Sequence, residues 1–171
     1  MRKFTRLSLL LSLSIVLNII EDSIPIFNGL IPGLKLGLAN IVILFVLFTY
    51  SFKEAFYVSV LRVILVGILR GLFGIAFFFS IGGSIFSIIA MYISKKITKL
   101  SIIGVSIIGS IFHSIGQIII SIFIIKTTAI IFYLPWLLLF SIPTGIITGM
   151  VAKKLLESLD EIFQSDQSYH V

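Results

Sequence analysis

Arg62 stands in an otherwise apolar run, Val60-Leu61-Arg62-Val63-Ile64-Leu65-Val66. A guanidinium stays charged at any physiological pH, and its planar fork of donors matches a carboxylate or a phosphate. Two uses fit it: holding the anionic group of a ligand, or pairing internally with Glu21 or a helix-end carbonyl to fix a bundle. A second group lies further along. Gly109, His113, Gln117 and Ser121 are spaced four apart, with Ser106, Ser110 and Ser114 beside them. Such spacing puts side chains on one helix face. Imidazole and carboxamide groups both donate and accept, so they can read the polar edge of a ligand or bond neighbouring helices. A third group is Glu21 with the segment Ile31-Pro-Gly-Leu-Lys35-Leu-Gly37-Leu-Ala-Asn40. Pro32 and Gly33 break the chain just before a helix. A helix start offers free N–H groups and partial positive charge, which suits anions. Lys35 adds a full charge and Asn40 a polar group one turn deeper. The candidate ligand-binding residues are therefore Glu21, Lys35, Asn40, Arg62, His113 and Gln117.

Other chemistries lack their residues. The chain has no Cys and two His, His113 and His170, so thiolate and His-rich metal sites are not expected. No Walker motif is present, and ATP hydrolysis by this chain is not expected. The acids are Glu21, Asp22, Glu54, Glu157, Asp160, Glu161 and Asp166. They form no pair of aspartate-rich clusters of the kind that hold Mg²⁺ on a diphosphate. No nucleophile accompanies His113. We expect no catalytic residues, no metal and no cofactor, and a binding protein in preference to an enzyme.

The elements that carry these residues follow from composition. Of 171 residues, 58% are hydrophobic and 12% charged, against about 25% charged in soluble domains. Mean hydropathy is +1.22. A water-soluble enzyme and a disordered chain are both excluded; an all-α membrane protein remains. A bilayer core needs roughly 17–25 apolar residues per helix. Six runs approach this: Leu7–Ile20, Leu36–Tyr50, Ala55–Leu69, Phe73–Tyr92, Ile102–Ile125 and Ala129–Val151. Glu21-Asp22-Ser23-Ile24-Pro25 offers no small-residue cleavage site, so the first run reads as a retained helix. Pro135 and Pro143 predict a kink in the sixth.

With the N-terminus cytoplasmic, Arg2, Lys3, Arg6, Lys53, Lys95, Lys96, Lys99, Lys153 and Lys154 all fall inside. Six spans then put both termini in the cytoplasm. The net charge of +6 thus reports orientation, and no nucleic-acid partner is expected. Leu155, Leu156, Leu159, Ile162 and Phe163 recur at helical spacing between acids, predicting a short amphipathic tail at the membrane surface. The chain divides into a six-helix transmembrane domain, residues 1–154, and a cytoplasmic tail, residues 155–171. Small residues at spacing four (Ser8 and Ser12, Gly67 and Gly71, Gly145 and Gly149) let helices approach closely.

These residues together resemble a family. Ile20-Glu21 followed by Pro25, the run Pro32-Gly33-x-Lys35-Leu36-Gly37-Leu38-Ala39-Asn40, Leu61-Arg62, and Gly82-Gly83 carry the resemblance. Gly104-Val105-Ser106, His113-x-x-Gly116-Gln117 and Leu134-Pro135 complete it. The chain is similar, up to about Lys154, to the bacterial membrane family described both as Gx transporters and as heptaprenyl diphosphate synthase component I. The resemblance implies a relation to the S components of energy-coupling-factor transporters. It implies an S-component-like six-helix bundle in the bacterial inner membrane that binds a vitamin-like compound from outside. It also implies partnership with a transmembrane coupling subunit and ATPases. Ser8 and Ser12 occupy the place of the small docking residues on the first helix. The other family description implies a non-catalytic membrane subunit beside a soluble prenyl synthase in menaquinone side-chain synthesis.

The leading expectation is a transport-type binding subunit for a small, anionic and partly apolar compound, with a loop from Glu21 to Lys35 as its gate. The alternative is component I of a heptaprenyl diphosphate synthase. Membrane lipid surrounds the chain in either case.

Overall fold

A computed structural model describes residues 2–23, 36–70, 74–98 and 100–168. Lys35, Pro25, Pro32 and Gly33, and with them the expected gate, lie outside the described residues. The elements are α1 (Arg2–Ser23), α2 (Leu38–Thr49), α3 (Phe52–Leu69), α4 (Ile75–Ile97), α5 (Ile102–Ile125) and α6 (Leu134–Ser168). A 3₁₀ turn, Thr128–Tyr133, precedes α6. No strand occurs among the described residues.

α2 is apolar on every side beyond Asn40, and such a helix belongs in a core. Ala39, Ile41, Val42, Ile43, Leu44, Val46 and Leu47 are all buried. α1, α3 and α6 pack around α2, while α4 and α5 close the far side between α3 and α6. The outer helices reverse the pattern. Phe4, Leu9, Phe123, Phe132, Trp136 and Leu139 are exposed. Water would reject a girdle of that size. The stretches Lys3–Glu21, Ile75–Ile97, Ile102–Ile125 and Thr128–Leu159 are each long and apolar enough to cross a bilayer. This is the construction of an all-helical membrane protein.

Two of the six expected spans differ from these four. α2 has 12 residues, about 18 Å at 1.5 Å per residue, against a hydrocarbon core of about 30 Å. α3 has 18 residues but carries Lys53, Glu54 and Arg62. The sixth run is helical only from Leu134, after the 3₁₀ turn. Pro135 falls in its first turn, where a missing N–H costs nothing. Beyond that point α6 continues without a break through Ser168.

Glycine sets how closely the later helices approach. A Cβ on Gly145 would lie 2.6 Å from the Ile107 Cα, and one on Gly149 2.8 Å from the Ile103 Cα. These contacts are with backbone, which cannot swing aside. Between α4 and α5, a Cβ on Gly116 would meet the Gly82 carbonyl at 2.8 Å. Hydroxyl pairs add specificity between α5 and α6: Ser106 with Thr148 at 2.8 Å and Ser114 with Ser141 at 2.7 Å.

Basic residues gather at one end. Lys3 Nζ meets the Glu54 carboxylate at 2.5 Å, tying the start of α1 to the start of α3. Ser51 also donates to Glu54. The bonds from Lys3 and Ser51 hold the Glu54 carboxyl down at about 2. Lys95 Nζ donates to the Leu47 carbonyl at 2.8 Å and sits 4.5 Å from the Phe48 ring centre. A cation there answers the negative end of the α2 dipole.

Candidate functional site

At the opposite end of α2 from Lys95, all six helices surround a cavity of about 270 Å³. The local sequence explains its position. Gly37 has φ 79°, a left-handed conformation that glycine adopts without strain. The chain turns there and α2 begins at once, so the first turn of a buried helix faces the hollow. Gly37, Ala39 and Asn40 line it from α2.

Arg62 lines it from α3 and is 4% exposed. Its Nη2 donates to Ser84 Oγ at 2.9 Å, and its Nη1 to Asn40 Oδ1 at 3.4 Å. A buried charge is costly unless it is hydrogen-bonded; these contacts offset part of that cost while joining α3 to α2 and α4. Glu21 is 7% exposed. Its Oε1 accepts the Gly37 N–H at 2.5 Å, which joins the end of α1 to the start of α2. Ser14 supports the same junction by donating to the Ala39 carbonyl at 3.4 Å.

The polar face of α5 divides between two duties. His113 and Gln117 line the cavity together with Ser110. Both pack over Gly83 of α4, where an added Cβ would lie 2.9 Å from the imidazole and from the Gln117 Cγ. Ser106 and Ser114 turn to α6 through their hydroxyl pairs. Ser121 donates to the Gln117 carbonyl of its own helix at 2.7 Å.

Five of the six candidate residues, Glu21, Asn40, Arg62, His113 and Gln117, therefore share one cavity. Lys35 lies outside the described residues. Ser8 and Ser12 are exposed on α1, away from the cavity, and Ser12 donates to the Ser8 carbonyl at 3.0 Å. Ser84, Asn18 and Thr144 also border the site but were not among the candidates. Ser84 sits in the Gly82-Gly83-Ser84 patch, whose small residues signal packing alone. The signal for Asn18 was present: an amide interrupting an apolar run. Among the described residues no group of three or more His, Asp or Glu side chains is placed to hold a metal.

The fold and this hollow define a helical membrane protein with a buried, polar-lined pocket. The chain belongs to the heptaprenyl diphosphate synthase component I family, which it matches over residues 10–155. No curated protein and no solved structure matches it.

Proposed function

We propose that this chain is a membrane-embedded binding subunit that captures a small, anionic and partly apolar compound in the cavity between its helices. In this reading the chain crosses a bacterial inner membrane six times. The basic end and both termini are cytoplasmic, and residues from 155 on form a surface tail. The convergence of Arg62, His113, Gln117, Asn40 and Glu21 on one hollow is the observation that carries the proposal. Polar groups in a membrane chain are costly unless they meet each other or a ligand. Native mass spectrometry of the chain purified from its host tests it. A small molecule should be retained by the wild type and lost from Arg62→Ala and His113→Ala; full retention by both variants refutes the site. Ser8 and Ser12 would serve a transmembrane coupling partner, whose ATPases would drive release.

A second reading follows from the family description: a non-catalytic subunit of a heptaprenyl diphosphate synthase. In this reading the chain would act by anchoring a soluble synthase, and the synthase should co-purify with it and lose activity without it.

A further inference from the structure

Two exposed stripes run side by side at the basic end of the bundle, far from the cavity. On α3, Lys53, Tyr57 and Leu61 are spaced four apart and all are exposed. On α4, Lys96, Ile93 and Ile89 repeat at spacings of three and four and are exposed as well. Such spacings keep side chains on one helix face. The two helices pack together, the start of α3 against the end of α4. Both stripes therefore descend in the same direction, from a cation to hydrocarbon. A row of rings joins them at the level between. Tyr57 lies 6.3 Å from Phe56, Phe56 5.9 Å from Phe52, and Phe52 4.5 Å from Tyr92, centre to centre. Lys96 Nζ stands 6.0 Å from the Tyr92 ring centre. Other cations at this end are engaged elsewhere: Lys3 by Glu54, Lys95 by the Leu47 carbonyl and Lys153 by Glu157. Lys53 and Lys96 have no acidic partner among the described residues. Glu54, beside Lys53 in sequence, is taken up by Lys3 and Ser51. Orientation in a membrane asks for lysines anywhere at the inner end; it does not ask for this layering. Cation, tyrosine and aliphatic side chain in that order match the phosphate, glycerol and acyl layers of a phospholipid.

We propose that the α3–α4 seam at the basic end holds an anionic phospholipid, its phosphate claimed by Lys53 and Lys96, its glycerol level with Tyr57 and Tyr92, and its acyl chains along Leu61 and Ile93. A zwitterionic lipid fits less well, because its own cation meets the two lysines. The cavity plays no part in this contact, which needs only that the end of α4 lies at a bilayer surface.

Native mass spectrometry of the full chain tests this, with the protein released from micelles that carry equal amounts of dioleoyl phosphatidylglycerol and dioleoyl phosphatidylcholine. Phosphatidylglycerol should be retained about tenfold or more over phosphatidylcholine, the scale of a pair of cations beside a headgroup. Lys53→Gln together with Lys96→Gln should remove that preference, and Lys53→Arg together with Lys96→Arg should keep it. Lys154→Gln alters an exposed cation at the same end, on α6, which packs against α2 and α5; it should leave the preference unchanged. Equal retention of the two lipids by the wild type overturns the assignment. A loss in Lys154→Gln as large as in the paired glutamine variant overturns it too, since the preference would then belong to the whole basic end. Millimolar glycerol 3-phosphate should not displace the lipid; displacement would make the seam a site for a free phosphate ester and end the lipid assignment.

Discussion

The Glu21 carboxylate accepts the Gly37 N–H at 2.5 Å across sixteen residues of sequence. One acidic side chain thereby caps a helix that is not its own, and fixes where the most buried helix of the bundle begins. Glu21→Gln keeps an acceptor oxygen, whereas Glu21→Ala removes it. Amide exchange at Gly37 and Leu38 should rise about tenfold in the alanine variant and much less in the glutamine variant. Equal protection in all three proteins would show that the bond contributes nothing to the start of α2.

Arg62 reaches Asn40 and Ser84 on two different helices. A lysine keeps the charge but offers one compact head in place of a planar fork. Arg62→Lys should retain part of any anion binding and lose about 1.5–3 kcal/mol of stability, the scale of one hydrogen bond to a charged group. Arg62→Ala should lose the binding. Reversible denaturation in mixed micelles and ligand retention report the two effects separately.

Gly145 and Gly104 give a matched pair. A Cβ on Gly145 comes within 2.6 Å of the α5 backbone, while the nearest atom to one on Gly104 is the Leu100 Cβ, at 3.3 Å. Overpacking costs about 1–3 kcal/mol where neighbours cannot move. Gly145→Ala should lower the melting temperature by several degrees and Gly104→Ala should leave it nearly unchanged. A larger loss from Gly104→Ala would contradict the packing described between α5 and α6.

Glu54 supplies the pH dependence. Its carboxyl is held at about 2, below an ordinary value of 4.5, by Lys3 and Ser51. A lowered value in the folded chain means that the bond stabilises fully above about 4.5, and that its contribution fades as pH falls toward 2. Melting temperatures of the wild type and Glu54→Gln should differ at pH 6 and converge as the medium is acidified through that window. A difference that persists unchanged at pH 2 would assign the effect to something besides ionisation.

The chain contains no Cys, so single cysteines report topology without background. With six crossings, Ser51→Cys and Thr98→Cys, at the basic end, should resist a membrane-impermeant maleimide in intact cells. Thr127→Cys, at the other end of α5, should react. Labelling of all three, or of Ser51→Cys alone, would overturn the crossing number or its direction.

Much of the site was legible because a membrane makes polar residues conspicuous. Arg62, His113, Gln117 and Asn40 stand out against apolar neighbours, and lipid would reject the face that carries them. The helix borders around Leu69, Ile102 and Ile125 followed from Gly and charged residues. What stayed hidden was pairing. Nothing in the spacing says that Arg62 bonds Ser84, since a serine beside two glycines looks like packing. Nor does the sequence show that Glu21 bonds a backbone N–H, because amides are the same at every residue. The start of α2 was blurred for a related reason: Leu36 to Tyr50 is apolar but for Asn40 and Thr49, and hydropathy does not mark where in such a run the helix begins. Gly37 was the informative residue there, through its backbone and not its side chain.

The shortness of α2 has a consequence for leakage. Below its first turn, Ile41 to Leu47 fill the middle of the bundle with hydrocarbon, so the hollow ends blindly about two-thirds of an α2 length above the lysines. A membrane that carries this protein should therefore stay an electrical insulator: protons and solutes admitted on one side find a dry stopper, and reconstituted vesicles should hold a pH gradient.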